Sequence, residues 1–161
     1  MTDKSKDSVG QPPGEHHEFP ILGRGYFLGG RASTTIKNLL SAAGVEEAVI
    51  QHATVATYEA EMNVVLHATS GVVELDILPD RVVVQLHDRG PGIADLELAM
   101  TQGWSTATSE ARGLGFGAGM GLPNIKAQAD DMQIESQPGQ GVRLTLTFLR
   151  PGATDSRRAT Q

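Results

Sequence analysis

The 161-residue chain has no cysteine. Disulfide staples, thiolate zinc sites, iron–sulfur clusters and cysteine nucleophiles are therefore excluded. It also has no surplus of positive charge: 13 Lys and Arg stand against 19 Asp and Glu, a formal net charge of −6. Neutralising phosphates on DNA or on an anionic bilayer needs clustered Lys and Arg, so neither nucleic acid nor membrane is an expected partner. No apolar run approaches the roughly 20 residues of a membrane span. The opening MTDKSKDSVGQPPGEHHE lacks the apolar segment of a secretory signal. A soluble cytoplasmic protein is the expectation. What the chain does have is glycine, 19 residues of it, and 39% hydrophobic residues, enough for one domain with a buried core.

Polar composition with Pro12, Pro13 and Gly14 predicts a disordered arm over 1–18. His16 and His17 fall in it, and a His pair alone is short of a metal ligand set. The stretch 151–161 reads as a flexible tail, which leaves 19–150 as the core domain. Within it, Phe19–Leu28 is apolar and predicts a strand. Ser33 is placed to cap a helix carrying Ile36, Leu39, Leu40 and Ala43, which Gly44 stops. A short helix over 45–51 and a longer one over 54–68 follow. The period then changes to two: Val73, Leu75 and Ile77, a Pro79–Asp80 turn, then Val82, Val84 and Leu86, an antiparallel hairpin. A helix over 95–101, a glycine-dense loop over 103–121 and a helix over 122–130 with Pro123 in its first turn come next. Met132–Gln137 and Val142–Leu149 make a last hairpin. Hairpin-linked strands with grouped helices predict an α+β two-layer sandwich, its sheet mixed but mostly antiparallel, with helices on one face only.

Three segments carry chemistry. On the helix over 54–68, Val55, Tyr58, Met62, Val65 and Leu66 are expected to form the buried face. Glu59, Asn63 and His67, spaced i, i+4, i+8, border it, while Glu61 points away. A carboxylate at such a border is partly desolvated and suited to general-base work, and an Asn one turn on offers a hard oxygen for Mg²⁺. The same spacing also describes a plain solvated helix border. Asp88-Arg89-Gly90-Pro91-Gly92 follows a strand. Asp88 can accept from an exocyclic amine such as adenine's, and the glycines let backbone approach a planar ring, although an Asp–Gly turn needs no ligand. Gly113-Leu114-Gly115-Phe116-Gly117-Ala118-Gly119-Met120-Gly121 alternates glycine with mostly apolar residues. Its N–H groups can converge on phosphates beside a helix start. It contains no G-x₄-G-K-[ST] and follows no βαβ strand, which excludes a P-loop and a dinucleotide fingerprint. Trp104 is expected to anchor the start of this loop. Arg112 and Lys126 flank it.

The order Glu59…Asn63, Asp88-x-Gly90-x-Gly92, the Gly-rich run and Gly139-x-Gly141 resembles the N box, adenine box and second glycine box of the GHKL, or Bergerat-fold, ATPases. Gly103-Trp104-Ser105-Thr106 and Gly-x-Gly-Met-Gly-Leu-Pro-Asn make the chain most similar to the small anti-sigma-factor and switch-type serine protein kinases. The resemblance covers about 20–150. It implies ATP and Mg²⁺ as cofactors, with Asn63 on the metal and Glu59 as general base. It further implies adenine on Asp88, beside Gly90, Gly92 and Ile93, under a phosphate-closing lid that includes Gly113, Gly115, Gly117, Gly119, Met120 and Gly121. The lack of a helical dimerisation module with a phosphoacceptor His favours the switch kinases over a sensor kinase. The implied activity is phosphorylation of a STAS-type anti-sigma-factor antagonist. The alternative is a nucleotide-gated module that sequesters a sigma factor or another regulator. Homodimers are usual in the resembling subgroup. One departure stands out: Val142 occupies a place where many members have a Thr that touches adenine, and Thr145 need not replace it.

Overall fold

A long helix, Glu47–His67 (α2), is the centre of the molecule, and the sheet, a flanking helix on each side and the candidate site are all built against it. The computed structural model describes residues 14–101, 108–113 and 121–153. Five strands, Glu15–Leu22 (β1), Ser70–Ile77 (β2), Arg81–Asp88 (β3), Asp131–Ser136 (β4) and Val142–Leu149 (β5), form one sheet in the order β1-β2-β3-β5-β4. Every pairing is antiparallel. Helices Arg31–Ala42 (α1), α2 and Gly121–Gln128 (α5) cover one face, and the short helices Leu96–Ala99 (α3) and Ser109–Gly113 (α4) lie between β3 and α5 in sequence. This is the two-layer α+β arrangement expected from the order of elements.

Period-two alternation decides which face is buried. Val73, Leu75 and Ile77 on β2, Val82, Val84 and Leu86 on β3, and Leu144, Leu146 and Phe148 on β5 all turn inward. Register stacks them in rows, such as Val73 opposite Leu86 and Leu86 opposite Leu144. The outward row Glu18, Glu74, Gln85, Thr145 and Gln133 is polar, so this face stays open.

Several boundaries differ from the sequence expectation. The first strand is Glu15–Leu22, not Phe19–Leu28, and so takes up the last residues of the expected arm, pairing Glu15–Glu18 with Glu74–Ile77. After Leu22 the chain bends onto the end of α2, with Gly23 N donating to Thr69 O at 3.0 Å and Arg24 N to Val65 O at 2.8 Å, and Tyr26–Leu28 forms a 3₁₀ turn. Helix α1 starts at Arg31, so Ser33 lies inside its first turn. Helix α2 is continuous where two pieces were expected, because nothing between His52 and Thr54 breaks it. Four-residue α3 falls within 95–101, capped by the Asp95 carboxylate on Leu98 N at 2.9 Å. α4 interrupts the stretch expected to be all loop.

The buried face of α2 keeps Met62 and Val65 of the expected set but is turned away from Val55 and Tyr58. Val55 and Tyr58 are 43% and 41% exposed, while Ala53, Ala56, Thr57, Ala60, Glu61, Val64 and Val65 are buried. Alanines at the contact let the helix axis lie close to its neighbours, and flanking by α1 and α5 widens the arc that must be covered. Glu61, expected to point away, is 2% exposed and accepts from Ala32 N and Ser33 N, both at 3.1 Å. Two of the N–H groups that α1 leaves unpaired at its start are thus met by a side chain of α2.

Candidate functional site

Glu59, Asn63 and His67 lie along one half-buried stripe of α2, as their spacing predicts. The stripe meets α5. Asn124 Nδ2 on α5 donates to Glu59 Oε1 at 3.5 Å, a long bond. Gly121, the first residue of α5, packs so tightly on Asn63 that a Cβ there would stand 3.0 Å from Asn63 Oδ1. Pro123 in the first turn, with Leu122 and Ile125 buried, holds α5 in this place. The amide oxygen of Asn63 and the carboxylate of Glu59 therefore sit at the start of a helix, where N–H groups and positive potential gather.

Asp88 ends β3 and is buried at 7% exposure. Its Oδ1 accepts from Gly90 N at 2.9 Å and from Val142 N at 3.2 Å. Burial pushes its carboxyl above the ordinary Asp range, and the two N–H bonds act against that shift. Loop bonds fix the end of β3 to the end of α2: Thr69 N and Thr69 Oγ1 both donate to Arg89 O, at 3.1 and 2.6 Å, and Arg89 N donates to Ser70 O at 2.8 Å. A Cβ on Gly90 would stand 3.2 Å from Ala68 Cα. His67 is partly buried, which lowers its pKa, and the charge of Asp88 works in the opposite direction. About 6 Å of helical rise separates Asn63 from His67. Along this stripe of α2, Glu59 and Asn63 meet α5, and His67, further on, feels the charge of Asp88.

The glycines after Asp88 have a packing role that their sequence does not suggest. Gly92 and Gly141 have φ of +73° and +74°, and a Cβ at either would run into backbone, the Gln137 carbonyl and the Asp88 carbonyl respectively. They allow the loop after β3 and the β4–β5 turn to touch each other. Gly139 N donates to Pro91 O at 2.7 Å across the same junction. Ile93 packs against the hydrophobic core from this loop. Val142 serves Asp88 through its backbone N–H, which any residue but proline supplies; Thr145 lies on the open face, paired with Gln85 and Gln133, and does not replace the missing hydroxyl.

Gly113 is exposed and is the last residue of α4. Gly115, Gly117, Gly119, Met120 and Trp104 lie outside the described residues. Lys126 is exposed on α5. His52, which had no recognisable partner in the sequence, meets Gln128 Oε1 at 2.6 Å and ties α2 to α5. Sequence reasoning noted Asn124 only as the end of the Gly-x-Gly-Met-Gly-Leu-Pro-Asn run, without its contact to Glu59, and missed Ser136. Ser136 had a signal: on β4 the inward positions are Met132, Ile134 and Ser136, so the hydroxyl interrupts an apolar register.

Residues 29–148 match the family of histidine kinase-like ATPase domains. The chain belongs to this ATPase family. Among curated relatives of this histidine kinase-like ATPase domain, an anti-sigma F factor of Caldanaerobacter subterraneus is 32% identical over 97 residues, covering 57% of this chain and 64% of that protein. A serine/threonine-protein kinase, RsbT, of Bacillus subtilis is 30% identical over 102 residues, 60% of this chain and 71% of that protein. The RsbU and RsbW domains of a Mycobacterium tuberculosis protein share the fold, with a TM-score of 0.57 at 19% identity, over 87% of this chain and 34% of that one.

Proposed function

We propose that this histidine kinase-like ATPase domain is an ATP- and Mg²⁺-dependent serine/threonine protein kinase of a bacterial partner-switching system, acting on a STAS-type anti-sigma-factor antagonist. The observation that carries the reading is the stripe of α2 on which Glu59 and Asn63 meet α5 and His67 feels the charge of Asp88, with the start of α5 packed on Asn63. Likeness to a serine/threonine kinase and to anti-sigma F factors supports the regulatory setting.

Asp88, its Oδ1 held by two N–H groups, accepts the exocyclic amine of adenine through its carboxylate. That bond selects adenine, because guanine presents a carbonyl oxygen at the same edge. The triphosphate runs toward α5, whose N-terminal N–H groups favour negative charge. The donor set fits magnesium, which prefers hard oxygen ligands; Asn63 Oδ1 would hold it, and the ion would neutralise phosphate charge there. Glu59, one turn before Asn63 on the same stripe, takes the proton of the incoming serine or threonine hydroxyl as its oxygen attacks the γ-phosphorus and the bond to the β-phosphate oxygen breaks. Asn124 orients that carboxylate. The domain acts in the cytoplasm, and as a homodimer.

Incubation with γ-labelled ATP, Mg²⁺ and a STAS-type antagonist tests this. Label on the antagonist, reduced about 10²–10⁴-fold by Glu59→Ala with nucleotide affinity retained, is the expected result. A second reading is favoured by the anti-sigma name of relatives: a nucleotide-gated module that sequesters a sigma factor. Nucleotide-dependent complex formation without label transfer selects it over the kinase.

A further inference from the structure

The junction between the loop after β3 and the β4–β5 turn is closed by one side chain. Ser136 is the last residue of β4 and opposes Val142, the first of β5. Its Oγ accepts from Ile93 N at 2.7 Å and donates to Gly141 O at 2.9 Å. One hydroxyl therefore joins the loop that carries Gly90, Gly92 and Ile93 to the glycine whose backbone lies against Asp88. Next to Gly141, Val142 N holds Asp88 Oδ1 at 3.2 Å. A chain of contacts runs from Ile93 N through Ser136 Oγ, Gly141 and Val142 N to the Asp88 carboxylate.

We infer that Ser136 is a positioning residue that sets base selectivity, by fixing the loop of Gly90, Gly92 and Ile93 relative to the Asp88 carboxylate. The inference rests on the nucleotide reading of the site and extends it to Ser136, which bonds the loop of Ile93 and the turn of Gly141. One backbone bond, Gly139 N to Pro91 O at 2.7 Å, crosses the junction, and Ser136 Oγ adds the bonds to Ile93 N and Gly141 O. Gly92 and Gly141 sit at positive φ, with the Gln137 and Asp88 carbonyls standing where their Cβ atoms would be. Without the hydroxyl, Ile93 N and Gly141 O lose their shared partner and the loop gains freedom to shift. A shift changes which atoms of a purine face Asp88. A carboxylate discriminates by geometry: it attracts an amine and repels a carbonyl oxygen only when the ring edge is held against it.

Titration calorimetry with ATP and with GTP, each with Mg²⁺, on wild-type, Ser136→Ala and Ser136→Thr protein tests the inference. Wild-type protein is expected to prefer ATP. In Ser136→Ala the affinity for ATP falls about tenfold while that for GTP does not, so the preference shrinks by about the same factor. Ser136→Thr, which keeps a hydroxyl, restores most of it. Amide exchange at Ile93 accelerates in the alanine variant only. Equal losses for ATP and GTP, following a fall in thermal midpoint, would make Ser136 merely structural and overturn the inference. So would an unchanged ATP preference in Ser136→Ala. Wild-type protein that binds neither nucleotide overturns the nucleotide reading itself, an outcome distinct from the other two.

Discussion

The two ends of the candidate site are built differently. At the base end, Asp88 is held by Gly90 N and Val142 N, and the loop after it is bonded through Ser136 Oγ and Gly139 N to the facing hairpin. At the phosphate end, the described polar contacts are one long bond from Asn124 to Glu59 and the packing of Gly121 on Asn63. In the proposed reading the base end is preorganised by these backbone and Ser136 bonds, so its selectivity costs little reorganisation on binding. The proposed phosphate end keeps side-chain oxygens available for an ion and for a proton. Under that proposal, selection of the ligand and chemistry on it fall to separate parts of the fold.

Removing one group at each end sharpens that contrast, and Asp88 should give the larger effect. Asp88→Ala removes the amine acceptor and leaves Gly90 N and Val142 N without their partner. Nucleotide affinity is expected to fall at least about 100-fold, or roughly 2.7 kcal/mol, with or without Mg²⁺. Asn63→Ala should lower affinity about tenfold or more in Mg²⁺ but little in EDTA. Calorimetry in both conditions checks the pair; an Asp88→Ala affinity that depends on Mg²⁺ as strongly as that of Asn63→Ala would erase the distinction between the ends.

A second contrast lies within α2, between two glutamates two residues apart. Glu59 is half-buried and faces α5, while Glu61 is buried and caps α1. Glu61→Ala leaves two buried N–H groups unpaired, so unfolding stability should drop by about 2–3 kcal/mol in urea titrations. Glu61→Gln keeps one acceptor and should recover about half. Glu59→Ala should stay within about 0.5 kcal/mol of wild type and show its effect in phosphate transfer alone. A Glu59→Ala protein as unstable as Glu61→Ala would turn Glu59 into a structural residue.

These contrasts also mark how far the sequence could be read. The hairpins were legible because Val73, Leu75, Ile77 and Val82, Val84, Leu86 repeat with period two, which only a half-buried strand satisfies. The stripe of Glu59, Asn63 and His67 was legible because helical spacing alone places i, i+4 and i+8 together. Glu61 was not, since its burial depends on a helix start 28 and 29 residues earlier. Large apolar side chains also misled: Val55 and Tyr58 look like core, but alanines make the closer contact. The packing role of the glycines of Asp88-x-Gly90-x-Gly92 was not legible either. Their missing Cβ atoms make room for Ala68 and Gln137, partners that no local pattern names.

The smallest expected effect concerns His67, where the two ends meet. Burial lowers its pKa below the unperturbed 6.5, with the negative charge of Asp88 opposing the shift. Between the folded pKa and 6.5 the unfolded chain binds the proton and the native domain does not, so stability falls as pH drops through that window and is unaffected well above it. Asp88 has the opposite sign: its raised pKa means the native state takes up a proton more readily than the unfolded one, starting above 3.8. Acid therefore first weakens the fold through His67, then relieves the cost of the buried Asp88 carboxylate while removing its capacity to bind an amine. His67→Gln should flatten the thermal midpoint between pH 7 and the low end of the His67 window, leaving the acid loss of nucleotide affinity in place. If the same substitution abolished that acid loss, the proton would be acting through the helix stripe and not through the base-end carboxylate.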